Sequence, residues 1–197
     1  MTSKAWVRAL LCLLIVSLCF SVTATEPFVS QLNEDMLLNH PLFEAYYNEH
    51  LESVAYYPSL PEEDLVALGS AYLAPLIIFE EEQAKLLLNA IVASPEIHFG
   101  FERISFDFTE EDAVFDVTAH DASADEFYAD EVYLPVEQQL LDILLLIANN
   151  PDEELHVTFW GQGKLSLHFA LTHNQIHTIQ DYLTVFLGEG GMETFSI

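Results

Sequence analysis

The chain of 197 residues carries 32 Asp and Glu against 5 Lys and Arg, a formal charge of −27 at neutral pH. So few cations exclude nucleic acid as a partner, since binding to a phosphate backbone rests on Lys and Arg, and they disfavour anionic membrane surfaces. A content of 51% hydrophobic residues, with 14 Phe and 8 Tyr, argues against disorder.

The first segment reads as a secretory signal. Lys4 and Arg8 supply its positive start, Leu10 to Phe20 is an apolar run too short to span a bilayer core of about 30 Å, and Val22-Thr23-Ala24 predicts cleavage before Thr25. Cys12 and Cys19 both lie inside it. The exported chain is therefore expected to have no disulfide, no thiol nucleophile and no Cys-ligated zinc. It keeps three basic side chains (Lys85, Arg103, Lys164) against all 32 acidic ones, a formal charge of −29. The expected location is periplasmic or secreted, without stable membrane insertion after cleavage.

Residues 25–78 read as a helical, Tyr-rich segment. One helix is expected over Glu44 to Ser53. A second starts at Ser59-Leu60-Pro61-Glu62, where Ser59 and Glu62 have capping-box spacing, and runs to Ala74 before Pro75 interrupts it.

Residues 79–197 read as an α+β unit, with residues 1–24 as signal and 25–78 as the N-terminal segment. Phe79 to Ala93 is expected to be a helix with Glu80, Glu81 and Glu82 in its first turn. Ile97 to Phe108 and Ala113 to Ala119 form a hairpin. An acidic stretch from Asp121 to Asp130 follows, then a short strand, Glu131 to Leu134. Pro135 to Asn149 is a helix so apolar that it must be nearly buried. Leu155 to Trp160 and Lys164 to Leu171 make a second hairpin across Gly161-Gln162-Gly163. Thr172 and Gln175 have capping-box spacing before a last helix, whose stripe is Ile176, Ile179, Leu183 and Phe186 and which Gly188 stops. The simplest arrangement is an antiparallel sheet of four to five strands with helices on one face. This order of elements over residues 79–188 resembles the type III secretion chaperone-like fold, and the resemblance implies an acidic protein that binds other proteins.

Alternation gives the second hairpin a face. A three-residue loop sets Trp160 opposite Lys164, Thr158 opposite Ser166 and His156 opposite His168, with the other parity wholly apolar. Arg103 falls on the same open face, and a Lys164–Trp160 cation–π contact is expected there. Phe99 and Phe101 match Arg103 in parity. Either a bulge near Glu102 returns them to the core, or they join Trp160 in an exposed aromatic patch. Trp160, Lys164, Arg103, His156, His168, Phe99 and Phe101 are thus the candidate partner-binding residues. The open face is also a candidate dimer contact.

Chemical signals are sparse. His156 and His168 side by side would suit zinc or copper. His173, His177 and Asp181 share one face of the last helix, but Asn174 stands where the zinc-protease pattern needs Glu. Asp121, Ser123 and Asp125 have calcium-loop spacing, with Glu126 in place of the required Gly. His40, His50, His98 and His120 show no grouping along the chain. There is no nucleophile elbow, phosphate loop or dinucleotide fingerprint, and no cofactor is expected. The leading expectation is an exported, non-enzymatic acidic module that binds a cationic or partly hydrophobic protein, as an inhibitor, immunity or chaperone-like protein. The alternatives are a metal-binding protein or metal-dependent enzyme using His156 and His168, and a salt-adapted structural protein.

Overall fold

The structure is a computed structural model, and it describes residues 32–59, 71–108, 113–123 and 128–188. The signal expected over residues 1–24 and most of the helix expected from Ser59 lie outside them.

A short helix, α1 (Glu34–Leu38), is capped by the Asn33 side chain. Four strands follow: β1 (Phe43–Asn48), β2 (Ser53–Pro58), β3 (Ala71–Glu80) and β4 (Gln83–Ser94). Two of the expected helices are therefore strand pairs. Over residues 44–53, Tyr46 and Tyr47 sit in an extended strand, in keeping with the preference of Tyr for strands. Over residues 79–93, the three acids form the end of a hairpin, with Glu81 at φ 52° and Glu82 at φ 65°. For the β3–β4 pair the physical cause of the difference is burial on both faces, whereas β1 is exposed from Glu44 to Tyr47 and has no such cause. From Leu73 to Ile78 every residue of β3 is buried, so the period of two is hidden in a continuous apolar run. Pro75 does not stop a helix. It pairs with Leu88, and the β2–β3 ladder covers only Ala55↔Ile78 and Tyr56↔Ile77, so no bond from position 75 is needed there.

The remaining elements are β5 (Arg103–Phe106), β6 (Ala113–Asp116), β7 (His120–Asp121), β8 (Tyr128–Pro135), α2 (Gln138–Asn149), β9 (His156–Trp160), β10 (Ser166–Ala170) and α3 (His173–Leu187). They match the expected order closely. The capping box is present: Gln175 N donates to Thr172 Oγ1 at 3.2 Å and Thr172 N donates to Gln175 Oε1 at 2.9 Å. The helix stripe is buried as expected, and Tyr182 joins it, donating to the Tyr56 carbonyl at 3.0 Å.

The strands form two antiparallel sheets, one of six in the order β1-β2-β3-β4-β8-β7 and one of four in the order β10-β9-β5-β6. The α+β class holds, but with two sheets rather than one. The resemblance to the type III secretion chaperone-like fold rested on an order whose first helix is here a strand pair. One core joins the inner faces of both sheets with α2 and α3, through residues such as Leu73, Leu88, Phe106, Leu144, Phe159 and Ile179. A second, smaller cluster lies on the outer face of the six-stranded sheet, where Ala55, Leu76, Ile78 and Leu87 pack with Leu51, Tyr57 and Tyr133. No helix among the described residues is long and apolar enough to cross a membrane.

Candidate functional site

The outer face of the six-stranded sheet carries the site. Register puts Tyr72 and Ala74 of β3, Asn89 and Ile91 of β4, Glu131 and Tyr133 of β8 and His120 of β7 on that face. Strands β1 and β7 are the two edges in strand order, yet the β1–β2 turn folds back across the face. There the His50 ring lies 3.9 Å from the His120 ring. Asn48 fastens the fold-back. Its Nδ2 donates to the Tyr57 and Tyr133 hydroxyls at 2.5 and 2.6 Å, and its Oδ1 accepts from the backbone N–H of His50 and Leu51 at 2.9 Å each.

Between the turn and the sheet is a cavity of about 840 Å³. Its walls include Tyr46, Tyr47, Tyr57, Tyr72 and Tyr133, and its acids are Glu44, Glu49 and Glu131. No Lys or Arg is among the described residues that line it. Glu44 accepts hydrogen bonds from the Tyr46 and Ser59 hydroxyls, and these hold its pKa below the ordinary value. The Tyr133 hydroxyl is pushed far above its ordinary pKa by burial first, then by Tyr57 and the nearby Glu131. The wall at Tyr133 is therefore a neutral hydroxyl, while the rim at Glu44 is anionic.

The floor is polar and buried. Asn89 is 4% exposed and Glu131 9% exposed. Asn89 Nδ2 donates to Glu131 Oε1 at 2.7 Å, and the other oxygen of Glu131 is 3.3 Å from His120 Nε2. Asn89 Oδ1 is closed off from solvent and has no hydrogen-bond partner among the described residues. The cavity is thus shaped to accept positive charge: carboxyl groups and tyrosine rings suited to cation–π contact.

The residues singled out in the sequence fall elsewhere. Arg103, Trp160 and His168 do share the open face of the four-stranded sheet. The Arg103 guanidinium, not the Lys164 ammonium, lies over the Trp160 ring, 5.6 Å from its centroid. The reason is register. The β9–β10 loop holds five residues rather than three, so Trp160 pairs with Ser166, His168 with Thr158 and His156 with Ala170, while β5 sets Arg103 opposite Trp160. His156 and His168 are therefore not cross-strand partners. His156 lies 3.3 Å from Glu154, and His168 Nδ1 is 2.7 Å from Thr158 Oγ1. Thr158 and Ser105 in turn donate to Asp107 at 2.5 and 2.9 Å, and Trp160 Nε1 donates to Ser105 at 3.1 Å. This network bonds mostly with itself.

Phe101 is 1% exposed and packs edge-on to Phe159, and Phe99 is half-buried against the same core. The bulge reading explains them. Gly100 adopts φ 56°, and Glu102 N donates to Trp160 O while Arg103 also pairs with Trp160, so two residues face one. Asp121 accepts from the Ser123 backbone N–H at 2.9 Å, and Asp125 lies outside the described residues. His173 and His177 are exposed, with their Nε2 atoms 2.7 Å apart. No group of three His, Cys, Asp or Glu suited to a metal ion occurs among the described residues.

Reading along the chain missed Asn89, Glu131, His50 and His120, which meet only when three sheet strands and a folded-back turn come together. One signal was available: Asn89 is a single amide inside the run Leu86 to Ala93, where a strand buried on both faces gives a polar side chain nowhere to go without a partner.

No protein-family model matches the chain, and no curated protein matches it. Among solved structures, the chain is similar to invasion associated protein B of Bartonella henselae, with a TM-score of 0.37 and 10% identity over 72% of this chain and 91% of that one. A likeness at that level carries no argument about fold or function.

Proposed function

We propose that the chain is an exported acidic binding protein that holds a cationic protein partner, taking a basic side chain of that partner into the cavity on the outer face of the six-stranded sheet. The observation that carries this reading is the cavity lining: five tyrosines and three glutamates with no Lys or Arg among the described residues. A buried cation gains from aromatic faces by up to about 2 kcal/mol when desolvated, and the acids add attraction at longer range. The exported chain's own cations stand apart from this lining. Lys85 pairs with Glu80, Arg103 lies on Trp160, and Lys164 is exposed in the β9–β10 loop. Binding proceeds without turnover.

Calorimetric titration of the chain with a lysine-rich peptide tests the reading. Association at low salt should weaken steeply as salt rises. The Glu44→Gln, Glu49→Gln double variant should bind roughly two- to tenfold more weakly, the scale of two exposed charge contacts. Undiminished binding by that variant, together with undiminished binding when Tyr57 and Tyr72 are both changed to Leu, would remove the cavity from the account.

A further inference from the structure

The solvent-facing side of α3 carries a histidine pair that the cavity does not use. We infer that His173 and His177 form a two-histidine site for a transition-metal dication that favours square-planar or tetragonal coordination, copper(II) first and nickel(II) after it. Neither residue lines the cavity, so the inference stands apart from the binding reading above.

Helix geometry brings the pair together. Positions four apart lie one above the other, so both rings project from one face of α3. Both side chains are exposed, and their Nε2 atoms converge to 2.7 Å with the ring planes at 89°. The turn that carries His173 is locked by the Thr172–Gln175 capping box, and Ile176 and Ile179 anchor the opposite face in the core. Two nitrogen donors are thus held at one point on a rigid element. The tautomer of His177 suits it to ligation. Gln180 Oε1 can only accept, so His177 Nδ1, 3.3 Å from it, carries the proton and Nε2 keeps its lone pair. That lone pair faces His173 Nε2, whose proton lies between the two nitrogens. A metal ion takes the place of that proton, which moves to His173 Nδ1. Two Nε2–metal bonds form, two waters leave the aqueous ion, and no net proton is released.

The spacing decides the class of metal. With metal–nitrogen bonds of about 2.0–2.1 Å, nitrogens 2.7 Å apart subtend about 80–85° at the ion. That is close to the right angle between adjacent square-planar or octahedral positions. A tetrahedral ion such as zinc needs the nitrogens about 3.3 Å apart. Copper(II) also leads the divalent ions in affinity for such ligands. No third His, Cys, Asp or Glu joins the pair among the described residues, so water fills the other positions of a bound ion. The formal charge of −27 draws a dication toward the surface, and exposed Asp181, one turn further along the same face, adds to that attraction at closer range.

The test titrates copper(II) into the untagged chain and into His173→Ala, His177→Ala and, as controls, His156→Ala and His168→Ala. Ala is the best helix former and both α3 positions are exposed, so these variants keep the fold. Calorimetry should show one tight copper site in the unaltered chain. Either α3 change should weaken it about a hundredfold, the low end of the advantage of two linked ligands over one, and the controls should leave it unmoved. Zinc should bind at least about tenfold more weakly than copper. Electron paramagnetic resonance of the one-to-one copper complex should show a tetragonal spectrum with two nitrogen ligands. On the unaltered chain, substoichiometric copper should broaden the ring resonances of His173 and His177 before those of any other histidine. Copper affinity unchanged by the α3 variants, zinc affinity equal to that of copper, or broadening that begins at another histidine overturns the inference. Each of those results leaves the cavity reading untouched.

Discussion

Asn48 engages all of its polar side-chain atoms, and the whole fold-back of the β1–β2 turn hangs on them. Replacing it with Ala strands two tyrosine hydroxyls and two backbone N–H groups together, so Asn48→Ala should cost about 2–3 kcal/mol in a urea titration and open the cavity. Asp130 plays a comparable part on the inner side. Its Oδ2 accepts from the backbone N–H of Phe99 and Gly100 at 2.7 and 2.8 Å, which pins the segment that returns Phe101 to the core. Tyr56 gives a pH signature. Burial, and then its hydrogen bond to Glu34, raise its pKa from 10.0 to about 12. A folded-state pKa above the unfolded one means that this stability is intact below pH 10.0 and lost as pH rises toward about 12. Tyr133 and Tyr182 are raised for the same leading reason. Phenol ionisation followed by ultraviolet absorbance should therefore coincide with cooperative unfolding above pH 10.0, and Tyr56→Phe should soften that alkaline loss. At this scale the chain is legible only in part. Alternation alone places Arg103 and Trp160 together, whereas Asn89 and Glu131, 42 positions apart, cannot be joined without the β4–β8 register.

The β3–β4 hairpin turns through Glu81 and Glu82, both with positive φ, where side chains other than Gly and Asn are strained. The double substitution Glu81→Asn, Glu82→Gly should raise stability by about 1–2 kcal/mol, measured as a shift of the urea midpoint with an unchanged slope. An unchanged midpoint would mean that the turn carries no such strain. Gly161 works in the opposite sense. A Cβ there would stand 2.8 Å from the Phe99 carbonyl oxygen, so the β9–β10 loop approaches the 97–102 segment only because no side chain intervenes. The elements legible in the sequence have one buried face or a local signature, as α3 has its Thr172–Gln175 box and β9 its alternation. Of the others, β1 is exposed over Glu44 to Tyr47 and shows no alternation of burial, while β3 and β4 are buried on both faces or end in acids that suit a helix start equally well. Helix periodicity and a two-sided strand look alike over such a run, and only the outer cluster of Ala55, Leu76, Ile78 and Leu87 explains why the second face is apolar.

Across the whole molecule the formal charge of −27 repels itself, and salt should relieve that repulsion. The midpoint of thermal unfolding should rise between dilute buffer and about 0.5 M sodium chloride, where the screening length falls below about 5 Å. A midpoint that falls with salt would show that exposed ion pairs such as Lys85–Glu80 outweigh the repulsion. Charge and fold together divide the surface. The four-stranded sheet keeps Arg103 against Trp160, and the six-stranded sheet gathers tyrosines and acids beneath the β1–β2 turn. Composition alone announces attraction for cations, while its focus in a cavity comes from sheet closure that no local pattern encodes. The most direct measurement is an NMR titration of the isotope-labelled chain with a lysine-rich peptide at low salt. The account predicts that the largest shifts cluster at Tyr46, Tyr57, Asn89 and Glu131. Shifts spread evenly over the acidic surface, or centred on Trp160 and Arg103, would contradict it.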